Sequence, residues 1–257
     1  MFDDRQNSSL IIRIMPPLSQ YHFEILPHDE ASVKQWGPKY IEFRLNALKT
    51  APDSFGSSYE KEASMSEAEW ISMLCEPAFR VIIAVPRADD GALQTPVWEN
   101  EWALISSLYG PRCHHEPYHD NENDCHESSW FLGTSFVSPR HRQRGMILEA
   151  FATAERAAVS EDRQTFQKRH KAQLQRPSGH RSNQFRTRML GSSTTTHPTV
   201  LNYYRQTGLE VSHTIRRKDV ARLWRWKISV SPEKLEELAT ILVKIIPWDG
   251  EVNLARL

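Results

Sequence analysis

Apolar and polar residues follow two different periods in the first part of the chain. Residues 21–25 alternate, which predicts a strand. Between Val33 and Leu48 apolar residues recur every three or four positions, and this spacing predicts an amphipathic helix that ends before Pro52. Ser66 and Glu69 have the spacing of a capping box, so a second helix is expected to run to about Pro77.

The pattern changes to that of strands after Pro77. Runs rich in β-branched and aromatic residues predict three neighbouring strands at residues 79–85, 102–109 and 130–137. A helix carrying Phe151 and Ala154 is expected next. In residues 161–188, eight basic residues stand against two acidic ones and no apolar face is sustained. This composition favours a long solvated excursion.

Further strands and helices are predicted towards the end of the chain. We expect a fifth strand at 187–191, a helix at 199–207 and a pair of strands within 209–230. Ser231, Pro232 and Glu233 have the order of a helix start, and leucines that follow predict a C-terminal helix. The alternation of elements predicts a mixed α/β protein. Its expected parts are a tail at 1–19, one domain at 20–230 with insertions at about 110–128 and 161–187, and a helical extension at 231–257.

Composition narrows the class of protein. The chain has 257 residues, 39% of them hydrophobic, which is enough to form its own core. Lys+Arg and Asp+Glu both number 32, so no overall field favours nucleic acid or an anionic membrane. The sequence contains neither a membrane-spanning run nor a signal peptide, and its three cysteines are too few for a disulfide framework. We therefore expect a soluble cytoplasmic protein, monomeric or homodimeric, that binds neither nucleic acid nor membrane.

The strongest chemical signal lies where the strand at 130–137 passes into a helix. A strand that stops before Pro139 leads through Arg140, Arg142 and Arg144 to a helix start near Gly145. Free backbone N–H groups, a positive helix end and three guanidinium groups suit a pyrophosphate. The sequence carries neither the Walker motif nor the three-glycine dinucleotide fingerprint, so this pattern alone does not say which polyphosphate. Solvated arginines at a basic helix start are the alternative.

Two motifs in the expected order resemble the GNAT acyltransferase superfamily. The first is Val137-Ser138-Pro139 followed by Arg142-Gln143-Arg144-Gly145-Met146-Ile147. The second is the run from His197 to Leu209, which contains Tyr204, and the stretch from Arg44 to Ser58 is a further echo. The resemblance covers roughly residues 20–230. It implies a GNAT-like acyl-CoA N-acyltransferase fold, in which helices flank a central, mostly antiparallel sheet.

The resemblance also implies an activity. The expected reaction is transfer of an acetyl group from acetyl-CoA to a primary amine by direct attack in a ternary complex. A small-molecule amine is preferred as acceptor, because the acceptor side carries hydrophobic and aromatic residues and no acidic patch. Tyr204 would protonate the departing thiolate, since a tyrosine O–H is a donor at neutral pH. Phe55 and Ser57 would lie over the acceptor. The residues implied for CoA are Phe136, Val137, Arg142, Gln143, Arg144, Gly145, Met146, Ile147, His197 and Tyr204.

Two departures from the family pattern bear on activity. Ile147 stands where the family usually has Gly or Ala; if that position needs a positive φ, its backbone would be strained by roughly 1–3 kcal/mol. The strand at 129–136 lacks the carboxylate that often serves as general base, which leaves Glu127, Asp124 and His126 as candidates. An acceptor amine of lowered pKa would need little base. The alternatives are a non-catalytic module that binds acyl-CoA or a protein, an enzyme acting on a peptide or protein amine, and other thioester chemistry.

The insertion between the predicted strands at 102–109 and 130–137 carries side chains that can bind zinc. They are Cys113, His114, His115, His119, Asp124, Cys125 and His126. Their spacing fits no standard zinc pattern, so we expect a polar loop and no metal.

Overall fold

The computed structural model describes residues 20–88, 91, 93, 95–113, 127–173, 186–194, 198–224 and 232–247. The strands are β1 (Tyr21–Ile25), β2 (Phe79–Pro86), β3 (Leu104–Cys113), β4 (Glu127–Val137), β5 (Arg186–Thr194), β6 (Glu210–Arg216) and β7 (Leu238–Pro247). The α-helices are α1 (Glu30–Thr50), α2 (Tyr59–Ala63), α3 (Glu67–Leu74), α4 (Met146–Gln173), α5 (Pro198–Gln206) and α6 (Arg217–Trp224).

The strands form one seven-stranded sheet in the order β1-β2-β3-β4-β5-β7-β6. Every neighbouring pair is antiparallel except β4 and β5, which run parallel. The predicted mixed α/β class with a mostly antiparallel sheet is confirmed. Strands β1 to β5 also confirm the five strands predicted between residues 21 and 191, and α5 confirms the helix predicted at 199–207.

Local signals explain where the first helices begin. The Asp29 side chain accepts a hydrogen bond from the Ser32 amide and caps α1, and Pro38 is accommodated inside that helix. At α3 the predicted capping box is present, because the Ser66 hydroxyl accepts from the Glu69 amide and the Glu69 carboxylate accepts from the Ser66 amide.

The core is divided between the two faces of the sheet. Successive strand side chains point to opposite faces, so β2 contributes to both. Val81 and Ile83 pack with α1 and α3, where Trp36, Tyr40 and Trp70 are fully buried. Ile82 packs on the other face with α4. The sheet is therefore packed between two hydrophobic layers. None of the helices in the described ranges is long and apolar enough to cross a membrane.

The predicted excursion at 161–188 is wrong at its beginning. Residues 161–173 continue α4 as regular helix. The buried face of α4 runs through Phe151, Ala154 and Ala158, and the next position at that spacing is Asp162, which is 1% exposed. Because the Asp162 carboxylate occupies this core position, the apolar pattern ends there and does not predict that the helix continues. Residues 174–185 lie outside the described part of the chain.

The predicted C-terminal helix is also wrong. Residues 238–247 form β7, which lies between β5 and β6 and pairs with both. The leucines at 235, 238 and 242 have helical spacing, but the same segment carries Thr240, Ile241 and Val243, which favour a strand buried in a sheet. In the predicted strand pair at 209–230, the first strand is β6, and α6 follows it where a second strand was expected.

Candidate active site

The sheet opens between β4 and β5. These strands pair from Glu127 with Arg186 to Leu132 with Gly191, and then separate. Beyond that point β4 pairs with β3 as far as Val137, and β5 pairs with β7 as far as Thr194. The last residues of β4 therefore offer backbone groups on their β5 side to a ligand rather than to a strand.

A cavity of about 300 Å³ lies at this opening. It is lined on the strand side by residues 132–135 of β4 and residues 192–193 of β5. Helical residues Ile147, Phe151 and Tyr204 contribute further walls. The volume is at the low end of the roughly 300–1,000 Å³ of typical ligand pockets, so it suits a small molecule or the reacting end of a larger one.

Tyr204 enters the cavity from α5. Its ring is buried, and it stacks on Phe151 with centroids 5.1 Å apart. The ring can approach β5 because residue 191 is glycine, since a Cβ there would lie 2.6 Å from Tyr204 Cε1. The hydroxyl donates to the Ser192 carbonyl at 3.4 Å, a long bond that is easily exchanged for another acceptor. Burial raises the pKa of Tyr204 above its ordinary value, so the group is a proton donor at neutral pH.

The turn after β4 leads directly into α4. Pro139–His141 form one turn of 3-10 helix, and the Arg142 Nε donates to the Val137 carbonyl at 3.2 Å. Gln143 and Gly145 have positive φ values of 63° and 70°, and α4 begins at Met146. The first amides of a helix have no partner within it, so the start of α4 presents free N–H groups beside this turn.

Arginines surround the start of α4. Arg142 lies over the Phe136 ring at 5.5 Å, and Arg144 lies over Tyr21 at 5.8 Å and also donates to its hydroxyl. Arg140 is 81% exposed, with Glu101 3.5 Å away. Guanidinium groups, helix N–H groups and a positive helix end together favour an anion, and their arrangement along a turn fits a polyphosphate.

Ile147 does not carry the strain that a positive φ would cause. It lies in the first turn of α4, packs into the core and lines the cavity. Among the described non-glycine residues, Gln143 alone has a positive φ. Strain in this turn therefore falls on Gln143, four residues before Ile147.

Phe55 and Ser57, which the resemblance implies for the acceptor, lie at the cavity. Both are buried and both line it. Their loop is held from two sides: the Lys234 ammonium donates to the Pro52 and Phe55 carbonyls at 2.8 Å, and the Arg44 guanidinium lies 4.6 Å from the Phe55 ring centroid. The Ser57 hydroxyl is buried and has no hydrogen-bond partner among the described residues.

The candidate base Glu127 is remote from the cavity. It lies at the opposite end of β4, pairs in register with Arg186, and its carboxylate is 2.7 Å from Arg188 Nε. The other two candidates, Asp124 and His126, and the CoA candidate His197 lie outside the described residues. Most of the Cys/His-rich insertion does too. No cluster of three potential metal ligands occurs in the part of the chain that the structure describes.

Similar solved structures are acetyltransferases. A spermidine N-acetyltransferase from Vibrio cholerae, in complex with CoA and spermine, is 8% identical with a TM-score of 0.49, over 88% of this chain and 96% of that one. A GNAT-family acetyltransferase from Streptococcus pneumoniae is 12% identical with a TM-score of 0.49, over 88% and 99%. An IAA acetyltransferase from Bacillus cereus is 9% identical with a TM-score of 0.43, over 88% and 99%. No protein-family model matches the sequence, and a search of curated proteins finds no significant relative.

Sequence reasoning missed the charged pair behind the cavity. Arg44 lines the cavity and donates to the Glu62 carboxylate through Nε at 2.8 Å and Nη2 at 2.6 Å. Arg44 is 3% exposed and Glu62 is fully buried. Burial opposes the charge, but the bonds to Glu62 prevail and raise the pKa of Arg44. The signal was available, because Arg44 falls on the apolar face of α1 between Tyr40 and Leu48.

Proposed function

We propose that this chain is an N-acetyltransferase of the GNAT superfamily, which transfers an acetyl group from acetyl-CoA to a primary amine. The observation that carries the proposal is the opening between β4 and β5, where Tyr204 and Ile147, the second residue of α4 after the basic turn, line one cavity. Each of the two sequence motifs contributes to its lining, the first through Ile147 and the second through Tyr204. The acetyltransferases with similar folds agree with this assignment.

The residues present fit the co-substrate. The separated end of β4, at Phe136 and Val137, would pair with the amide-containing arm of CoA. Backbone amides from Arg142 to Ile147 would bind the pyrophosphate, with neighbouring guanidinium groups offsetting its charge. When bound, acetyl-CoA supplies an acyl group activated as a thioester.

Tyr204 is the proposed general acid. Its hydroxyl lies in the cavity and stays protonated because burial disfavours the tyrosinate. The amine nitrogen bonds to the acyl carbon, the carbon–sulfur bond breaks, and Tyr204 gives its proton to the sulfur. The amine loses one proton to water, and water restores the proton of Tyr204. The products are the acetylated amine and free CoA.

The general base is not a carboxylate or imidazole of the described lining residues, since none of them is Asp, Glu or His. Glu127 lies at the other end of β4, does not line the cavity, and pairs with Arg188. We therefore propose that the acceptor enters as the free amine and releases its proton to water through the cavity hydroxyls. Direct attack in a ternary complex needs no covalent enzyme intermediate.

Two measurements test the proposed function. Calorimetry with CoA should show binding, and incubation with acetyl-CoA and a panel of amines should release free thiol together with an acetylated product of the expected mass. Binding without turnover of any amine would support a non-catalytic acyl-CoA module, which the lining without a carboxylate also favours. Absence of CoA binding would contradict both functions.

A further inference from the structure

The charged residues of the cavity point to the class of acceptor. Of the lining residues in the described part of the chain, the charged ones are Arg44 and Arg217, and both are cationic. The remaining lining is mainly aromatic and aliphatic, with serine and threonine hydroxyls. A ligand that fits this surface combines an apolar body with a group that accepts hydrogen bonds from a guanidinium.

Arg44 is already committed to the protein. Its Nε and Nη2 bind the Glu62 carboxylate, and its Nη1 donates to the Thr134 hydroxyl at 3.3 Å. A bidentate pair that is fully buried leaves little capacity for a ligand. Arg44 therefore shapes the cavity and supports Phe55, and it is not the group that binds an anion.

Arg217 is placed differently. It is the first residue of α6, its side chain is 12% exposed, and it lines the cavity. Glu237 lies 3.2 Å from its Nε and is itself 46% exposed. Among the described residues no other partner takes the terminal N–H groups of Arg217. Burial, only partly offset by Glu237, lowers the pKa of Arg217, and an anion at its free face would relieve that cost.

A polyamine is poorly matched to this cavity. Its second and third ammonium groups need carboxylates when they leave water, and the described lining offers two guanidinium groups instead. Like charges repel more strongly in a partly buried site than in water. The similar spermidine acetyltransferase therefore does not set the substrate class for this chain.

We propose that the acceptor is a small amine that carries a carboxylate and an apolar body, and that Arg217 binds the carboxylate. The inference rests on the proposed function, because it names the partner of the same transfer reaction. The cavity volume of about 300 Å³ limits the body to the size of a single aromatic ring beside the reacting thioester.

Matched acceptor pairs test this inference. Thiol release would be followed with 4-aminobenzoate against 4-aminobenzamide, with phenylalanine against phenylalaninamide, and with spermidine. In each pair the ring and the amine stay while the charge is removed. We expect kcat/KM for the carboxylate of at least one pair to exceed that of its amide by about 10- to 100-fold, the usual value of a hydrogen bond to a charged group.

Variants of Arg217 test whether this residue causes the preference for a carboxylate. Arg217→Gln should reduce the preference for carboxylate to near one, whereas Arg217→Lys should keep part of it. Lys218→Gln is the matched control, because Lys218 is exposed, adjacent and paired with Glu236 on the surface; it should leave the preference unchanged. Calorimetry with CoA on each variant checks that the fold and the CoA site are intact.

The outcomes separate the two proposals. Preference for spermidine, equal rates for acid and amide, no acetylation of either carboxylate, or a preference that survives Arg217→Gln would each overturn the acceptor class. All of these leave the proposed function standing so long as CoA binds to the wild-type protein. Failure to bind CoA would overturn both.

Discussion

Strands β4 and β5 pair at one end and separate at the other, and the buried polar groups at the two ends differ in how many hydrogen bonds they make. At the closed end, Asp162 of α4 accepts from the Ser128 hydroxyl, the Trp130 indole at 3.0 Å and the Thr187 hydroxyl at 2.7 Å. At the open end, the Tyr204 hydroxyl has one long bond.

The difference in hydrogen bonding separates groups that stabilise the fold from groups that can bind a ligand. Buried polar groups stabilise a fold when their hydrogen bonds are complete, and they are available to a ligand when they are not. The closed end ties both strands to α4 through one carboxylate, although the Ser129 hydroxyl there has no partner among the described residues. The open end leaves hydrogen-bonding groups available to a ligand. The buried hydrogen bonds that stabilise the fold and the site proposed for catalysis thus lie at different ends of the same pair of strands.

The largest expected effect is on the closed end. Asp162→Ala removes the common acceptor of three buried donors, so we expect the free energy of unfolding to fall by about 3 kcal/mol. Urea denaturation measures it. Glu149→Ala in the first turn of the same helix, where the acid is 33% exposed and pairs with Arg156, is the control and should cost less than about 1 kcal/mol. Equal losses in the two variants would show that the Asp162 cluster does not hold the strands together.

The same residue predicts a pH dependence. Burial raises the pKa of Asp162 above its ordinary 3.8, against the opposing effect of its hydrogen bonds. An acid with a raised pKa in the folded state contributes stability below its unfolded pKa, and that contribution is lost as pH rises through the folded pKa. The unfolding free energy of the wild type relative to Asp162→Asn should therefore decline as pH rises above 3.8. A difference that grows with pH would contradict the assignment.

The third prediction concerns the open end. Tyr204→Phe removes the proposed acid but keeps the stacking on Phe151, so kcat should fall by roughly 100-fold while CoA affinity stays the same. Stopped assays of thiol release and calorimetry measure the two quantities. Tyr59→Phe, outside the cavity, is the matched control and should retain its rate. Full activity in Tyr204→Phe would remove the residue from the proposed mechanism.

Local order in the sequence predicted much of this site. The turn from Arg142 to Ile147 is continuous in the chain, and the strand before it and the helix after it both have clear periods. Tyr204 and the loop of Phe55 and Ser57 came from the resemblance, and the structure places them around the same cavity. The sequence could not show that β4 and β5 separate, because that depends on pairing between distant segments.

The residues that were missed share one physical feature. Arg44 and Asp162 each occupy a core position on an amphipathic helix, and each is satisfied by groups far away in sequence. A periodicity analysis reads a charge at such a position as the end of the apolar face. For Asp162 this reading ended α4 too early. The prediction of a helix at β7 was wrong for a related reason. The leucines of this segment have helical spacing, whereas its pairing with β5 and β6 depends on residues far away in the sequence.

A smaller effect is expected at the turn that begins α4. Arg142→Gln removes an exposed guanidinium beside the proposed pyrophosphate site, so CoA affinity should weaken by about tenfold, with little change in kcat. Calorimetry at low and high salt measures it. Arg156→Gln, farther along α4 and exposed, is the charge-matched control and should bind CoA like the wild type. Equal affinity for both variants would place the phosphates elsewhere.

The smallest effect tests the strain in that turn. Gln143 has a φ of 63°, a conformation that costs a side-chain-bearing residue about 1 kcal/mol and glycine almost nothing. Part of this gain is offset because glycine adds freedom to the unfolded chain. We therefore expect Gln143→Gly to raise the free energy of unfolding by about 0.5 kcal/mol. Gln143→Ala keeps the strain and should give no gain, and urea denaturation of the three proteins compares them. If the glycine variant proves less stable than the alanine variant, the positive φ at this position carries no backbone cost that glycine relieves.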